Sequence, residues 1–242
     1  MLVRVLTIFP EMFAGPTESS IIKRAQDQGL LKIELIDIRD FSTDKHHKVD
    51  DYPFGGGAGM VMKPEPFYAC FEALDLQPGT RVIMMTPQGE TFNQEKAQEL
   101  SGEDELILIC GHYEGIDNRV KHLVTDEISL GDFVLTGGES AAMAVIDCVG
   151  RLIPGVVGDP SSLHEESFNL GLLEYPQYTR PRTFNGQEVP DVLLSGNHQE
   201  IRRWRRAQAV TRTFFHRPDL LVDVPWDEED RRTIDQILLA AP

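Results

Sequence analysis

Ser129-Leu130-Gly131-Asp132-Phe133-Val134-Leu135-Thr136-Gly137-Gly138-Glu139-Ser140 is the stretch on which the reading of this chain turns. A glycine, five residues and a glycine pair lead into an apolar helical run from Ala141 to Val149. Glycine adopts backbone angles closed to other residues and lets a ligand lie against bare main chain. Phe133, Val134 and Leu135 can wall an apolar slot, and a helix N-terminus is expected at about Glu139. A flat heteroaromatic ligand held by backbone groups suits this combination. A plain strand–turn–helix junction suits it equally well, and the stretch alone leaves both open.

Working outward, runs rich in β-formers predict strands at Leu2–Phe9, Leu31–Ile38, Arg81–Thr86 and Glu105–Cys110. Helices are predicted at Ser19–Gln28, Pro64–Leu74, Asn93–Leu100 and Ile116–Leu123. Gly29 stops the first, and prolines fill the first turn of the second. Alternating strands and helices with short connections give an α/β fold, a parallel sheet with helices on both faces. In such sheets ligands bind beyond the C-terminal ends of strands. Glycine-bearing loops are expected there at Thr86–Glu90, Cys110–Gly115 and Leu130–Gly138, which favours ligand binding over turns alone. None has the Gly-x-Gly-x-x-Gly spacing of a dinucleotide fold, and Gly55–Gly59 lacks the Lys-Ser/Thr ending of a P-loop.

Arg39–Gly59 is a polar loop long enough to be functional or disordered. His46, His47, Asp50 and Asp51 raise the question of a metal site. Adjacent histidines point apart on most backbones and the flanking lysines oppose a cation, so a solvated substrate loop is expected instead. The three cysteines, Cys70, Cys110 and Cys148, show no metal or redox spacing and read as buried thiols in a reducing compartment. Leu2–Phe9 holds Arg4 and no cleavage site, and no apolar run approaches membrane-spanning length, so a cytoplasmic location is expected. With 23 Lys and Arg against 39 Asp and Glu, the net charge is -16. That argues against wholesale nucleic-acid binding but leaves room for a local basic patch.

Such a patch appears after the texture changes at Arg151. Asp159–Asn169 reads as a flexible linker, and Gly171–Arg182 as extended chain with two tyrosines, two prolines and two arginines. The tail is a helical module. Asn197 and Glu200 resemble a capping box, and Arg202, Arg203, Arg205 and Arg206 surround Trp204. Guanidiniums interleaved with an aromatic suit a phosphate backbone; a solvated helix face fits as well. A last helix is expected at Asp227–Ala241. The expected organisation is a domain over 1–157, a linker over 158–174 and a helical domain over 175–242.

At this point the motifs carry a resemblance. Phe9-Pro10-Glu11-Met12-Phe13, Phe54-Gly55-Gly56-Gly57-Ala58-Gly59-Met60, Tyr113-Glu114-Gly115-Ile116-Asp117, Gly131-Asp132-Phe133-Val134-Leu135, Tyr178-Thr179-Arg180-Pro181 and Ile201-Arg202-Arg203-Trp204-Arg205 occur in one order along the chain. In these the chain resembles the TrmD family of bacterial tRNA (guanine-N1)-methyltransferases, of the SPOUT class. The resemblance implies a deep trefoil knot, a rare exception to unknotted topology, and a small all-helical C-terminal domain. It implies transfer of methyl from S-adenosyl-L-methionine to N1 of the guanosine just 3′ of the tRNA anticodon, by a homodimer whose subunits share each active site.

The resemblance also implies roles for residues. The cofactor would be held by Thr86, Pro87 and Gly89; by Gly111, Tyr113 and Glu114; and by Leu130, Gly131, Asp132, Phe133, Val134, Leu135, Gly137 and Gly138. Glu166 stands where the family has an aspartate general base, with Glu165 beside it as a fallback. Arg151 would stabilise charge on guanine O6. Asp50, Arg180, Arg202, Arg203 and Arg205 would contact tRNA. Ala141 replaces a frequent proline. Magnesium dependence is implied with no ligand assigned. A SPOUT methyltransferase with another RNA target, and a non-catalytic RNA-binding module, are the alternatives.

Overall fold

The structure is a computed structural model that describes residues 1–158, 165–222 and 224–240. The chain forms two compact units, Met1–Gly158 and Asp159–Pro242. The first holds β1 (Leu2–Thr7), α1 (Ala14–Thr17), α2 (Ser20–Asp27), β2 (Lys32–Asp37), β3 (Asp50–Asp51), β4 (Val61–Met62) and α3 (Pro64–Ala73). It continues with β5 (Arg81–Thr91), α4 (Gln94–Ser101), β6 (Glu105–Cys110), β7 (Asp126–Ser129) and α5 (Glu139–Gly150). Five strands pair in the order β2-β1-β6-β5-β7, every pair parallel. The expected parallel α/β sheet is therefore present.

β6, Glu-Leu-Ile-Leu-Ile-Cys, explains the layering. A strand covered on both faces reads as a continuous apolar run. Leu106, Leu108 and Cys110 point into one core with Ala142, Val145 and Val149 of α5; Ile107 and Ile109 point into the other with Phe67 and Cys70 of α3. β2, at a sheet edge, is only half covered. Burial pushes the Cys70 thiol up to about 12, and burial with the nearby Glu139 carboxylate pushes Cys110 well above its ordinary value.

Several predicted elements differ in form. The strand predicted to end at Thr86 runs on to Thr91, but its pairing with β7 breaks: Met85 and Glu90 both face Ile128, so Thr86–Gly89 bulge outward. The helix predicted at Ile116–Leu123 is a 3₁₀ segment, Asn118–Leu123, begun by Asp117, whose carboxylate accepts the Arg119 N–H at 2.9 Å. The Arg39–Gly59 loop is not structureless. A 3₁₀ turn spans Ile38–Phe41, and β3 pairs antiparallel with β4.

The second unit holds β8 (Thr183–Phe184), β9 (Gln187–Glu188), α6 (His198–His216) and α7 (Glu228–Ala240). The β8–β9 hairpin corrects the expectation of an all-helical domain. Asn185 and Gly186, at φ 49° and 79°, form the two-residue turn that matches strand twist, a signal present in the sequence. Leu172, Ala209, Val210 and Val224 make this unit's core. Of the expected 158–174 linker, 159–164 lie outside the described residues, and Leu172 within it is buried. Asp227 and Asp230 cap α7 reciprocally: each carboxylate accepts the other's N–H, at 2.8 and 3.3 Å.

Arg81 links β5 to β7, donating to both Asp126 oxygens at 2.8 and 2.5 Å. These bonds hold the Asp126 carboxyl below its usual range, although burial acts in the opposite direction. A carboxyl depressed in the folded state contributes stability that is present above its unfolded value, about pH 4, and is lost as pH falls through the folded one. Asp126→Asn is therefore expected to cost about 1.5 kcal/mol at neutral pH and to flatten the acid limb of stability below about pH 4. Urea unfolding at stepped pH checks this; parallel acid limbs for variant and parent would contradict it.

Candidate active site

Three strand ends meet at one place. At the end of β6, the Gly138 N–H donates to the Gly111 carbonyl at 2.8 Å, and His112 and Gly137 form an antiparallel bridge. A Cβ on Gly138 would stand 2.8 Å from the Cys110 Cα, so only glycine lets α5 start there. Glu139, 1% exposed, accepts the Thr7 hydroxyl at 2.8 Å, which ties the head of α5 to the end of β1. At the end of β7, Ser129 Oγ accepts the Gly131 N–H at 3.1 Å while Gly131 takes φ 145°. Tyr113, at φ 60°, is strained for a residue with a side chain.

These loops enclose a cavity of about 400 Å³. Thr86 and Pro87 line it from the first loop; Gly111, Tyr113 and Glu114 from the second; Leu130, Gly131, Phe133, Val134, Leu135, Gly137 and Gly138 from the third. Two of the sequence-predicted cofactor residues stand elsewhere. Asp132 is exposed and does not line the cavity. Gly89 does not line the cavity either; it packs on the main chain of Glu127 and Ile128, where a Cβ would collide. Ala141 forms part of the lining.

Sequence reasoning missed His112, Gln88 and Lys121, which also line the cavity. Lys121 donates to Gln88 at 3.2 Å and pairs with Glu127 at 2.6 Å. His112 meets Phe9 edge-on at 4.8 Å. Its position inside Cys110–Gly115 was the available signal; its residue type matched no motif. The glycine-rich segment lies against the second loop: Glu114 N–H donates to the Met60 carbonyl at 3.0 Å, and a side chain on Gly59 would strike Glu114. Burial and the nearby Asp50 carboxylate push the Tyr113 phenol up. The expected RNA-reading segment and the expected cofactor loop therefore share a border.

Residues 1–223 match the family model described as tRNA (Guanine-1)-methyltransferase TrmD. A tRNA (guanine-N(1)-)-methyltransferase of Moorella thermoacetica is 60% identical over 243 residues, covering 98% of this chain and 96% of its own. One from Dictyoglomus turgidum is 57% identical over 233 residues, covering 96% and 95%. The chain belongs to the TrmD family.

The family's remaining expected residues fall in both units. Arg151 caps the C-terminus of α5. Glu166 lies in the second unit and lines a cavity of about 200 Å³ there. The arginines of α6 are largely engaged. Arg203 pairs with Glu200 and Glu229 at 3.4 and 3.2 Å, Arg205 with Glu165 at 3.2 Å, and Arg206 with the buried Asp230 at 2.8 Å. Arg180 and Arg202 are exposed and have no ion pair among the described residues. Among those residues no three His, Cys, Asp or Glu side chains converge on a metal position, and no helix is long and apolar enough to cross a membrane.

Gly138→Ala is expected to cost about 1–3 kcal/mol by forcing α5 off the β6 end. Denaturant unfolding measures it. An unchanged midpoint would show that the contact yields without cost.

Proposed function

We propose that the protein transfers methyl from S-adenosyl-L-methionine to N1 of the guanosine immediately 3′ of the tRNA anticodon. The observation that carries this reading is the convergence of three glycine loops on one cavity in a chain of the TrmD family. The cavity fits the cofactor in kind. Gly111, Gly131, Gly137 and Gly138 leave bare main chain along its lining, and Phe133, Val134 and Leu135 supply apolar wall. The residues of Thr86–Pro87, Gly111–Glu114 and Leu130–Gly138 that line it would hold the group. When bound, it supplies a methyl on a positively charged sulfur.

The chain's own residues then have a proton to move. Guanine N1 carries a hydrogen at neutral pH and is a poor nucleophile until that hydrogen leaves. Glu166 accepts it as general base. As N1 loses its proton, negative charge builds on O6, and the Arg151 guanidinium stabilises it. Asp50, beside the second loop, reads neighbouring bases, and Arg180 and Arg202 bind phosphates. The trefoil knot and shared-site homodimer belong to the same proposal. Magnesium is given no ligand and no step here; among the described residues no three His, Cys, Asp or Glu side chains converge on a metal position.

Methyl incorporation into a tRNA transcript with guanosine 3′ of the anticodon tests the reading. No transfer at saturating cofactor would sink it, and undiminished transfer after changing that guanosine to adenosine would point to another RNA target. Glu166→Gln is expected to lower kcat about a hundredfold or more while cofactor affinity, read by calorimetry, hardly changes; a silent variant removes the base assignment. RNA affinity is expected to fall steeply with salt despite the -16 net charge. Arg202→Gln is expected to lower the log–log slope by about one. An unaltered slope would exclude Arg202 from the contact.

A further inference from the structure

Residues 165–175 form a loop closed on itself and fastened to one face of α6. Within it, Phe168 N–H donates to the Leu172 carbonyl at 2.8 Å, Gly171 N–H to the Phe168 carbonyl at 3.1 Å, and Glu174 N–H to Ser167 Oγ at 3.0 Å. Phe168 takes φ 77° to make the turn. Three residues of α6 hold the loop. Thr213 Oγ1 accepts the Leu173 N–H at 2.8 Å, Arg212 donates to the Glu174 carbonyl at 3.2 Å, and Arg205 donates to Glu165 at 3.2 Å. Positions 205, 212 and 213 share one helix face, two turns apart.

Glu165 is the fastening at the loop's open end. Its Oε2 accepts both the Tyr175 hydroxyl at 2.5 Å and the Arg205 guanidinium at 3.2 Å. Arg205 in turn lies over the Tyr175 ring, 4.7 Å from its centre. The three side chains make a closed triangle that joins the first and last residues of the loop to α6. Glu165 and its neighbour Glu166 both line the adjoining cavity, with Arg202 and Leu170.

We propose that Glu165 is a positioning residue for methyl transfer: its bonds to Tyr175 and Arg205 fix the loop whose next residue, Glu166, takes the N1 proton. This rests on the reading of Glu166 as base, and it separates the roles of two adjacent, chemically identical residues. It also assigns Arg205 to holding the loop rather than to gripping phosphate.

Steady-state methylation of a tRNA transcript by the full-length protein, followed from about pH 4 to about pH 9, tests the assignment. Glu165→Gln is expected to lower kcat about tenfold, a loss of positioning, without raising KM for tRNA and with the acid limb of the pH–rate profile, where the base becomes protonated, kept. Glu166→Gln erases that limb. Glu165→Asp recovers part of the loss, which guards against a folding defect. Arg205→Lys combined with Glu165→Gln is expected to be no slower than Glu165→Gln alone, because the two changes break one contact. Parent-like turnover in Glu165→Gln alongside an inactive Glu166→Gln would overturn the positioning role and leave the base standing. Loss of the limb in Glu165→Gln, or a silent Glu166→Gln, would instead overturn the base assignment and this inference with it.

Discussion

The bond between the Thr7 hydroxyl and the Glu139 carboxylate is the constraint on which the site depends. A charged group that is 1% exposed costs several kcal/mol unless it is bonded, and here it also sits in the first turn of α5, where the helix dipole favours an anion. Thr7 Oγ1 meanwhile accepts the Phe9 N–H at 2.9 Å, so the hydroxyl is committed on both sides. Its partner lies 132 residues away along the chain. Once that bond forms, the end of β1, the head of α5 and the loop before it move as one body. The loop's glycines must then fit over β6, and the contact of Gly138 with Cys110 follows from it.

A fixed base under the loop leaves freedom only at its rim. Gly137 and Gly138 are held from below, while Phe133 and Val134 are 53% and 86% exposed. Sites are most exact when built on rigid elements. The arrangement gives main-chain groups at defined positions and an apolar wall that can close on a guest. On the proposed reading, the fixed part orients the cofactor and the exposed part adapts to cofactor and RNA together. The bulge at Thr86–Gly89 extends the same logic: the strand resumes its pairing afterward, so the protruding residues are anchored at both ends.

How much of this was legible in the sequence depends on the range of the force involved. β6 and the strands beside it were readable because burial on both faces demands a continuous apolar run. The three loops were readable because glycine marks places where a Cβ cannot go. The role of Gly89 was not, since what its Cβ would strike comes from β7, more than a helix and a strand later. The β8–β9 hairpin was written in Asn185-Gly186 but obscured by the prolines and arginines around it. Thr7 passed as one more strand residue. Nothing local distinguishes a threonine that closes a carboxylate from one that packs. Glu165 and Glu166 are identical in kind, and nothing local shows that Glu165 bonds Tyr175 and Arg205.

The same limit governs the arginine helix. Read along the chain, Arg202, Arg203, Arg205 and Arg206 make a cationic cluster, yet three of the four already have carboxylate partners. Arg206 is committed to the fold, because losing it would strand Asp230, itself 1% exposed. Arg203, with exposed partners, can exchange them for phosphates at little cost, since such pairs contribute little in water. The protein's net charge of -16 acts weakly across more than about 8 Å at physiological salt, so a few local cations decide whether a polyanion binds. A helix whose guanidiniums were all free would attract any nucleic acid. On the proposed reading Arg202, with no ion pair among the described residues, meets a phosphate directly, and Arg203 meets one only where it can replace a carboxylate. That condition turns a nonspecific attraction into a positional one, and it lets an acidic protein act on RNA.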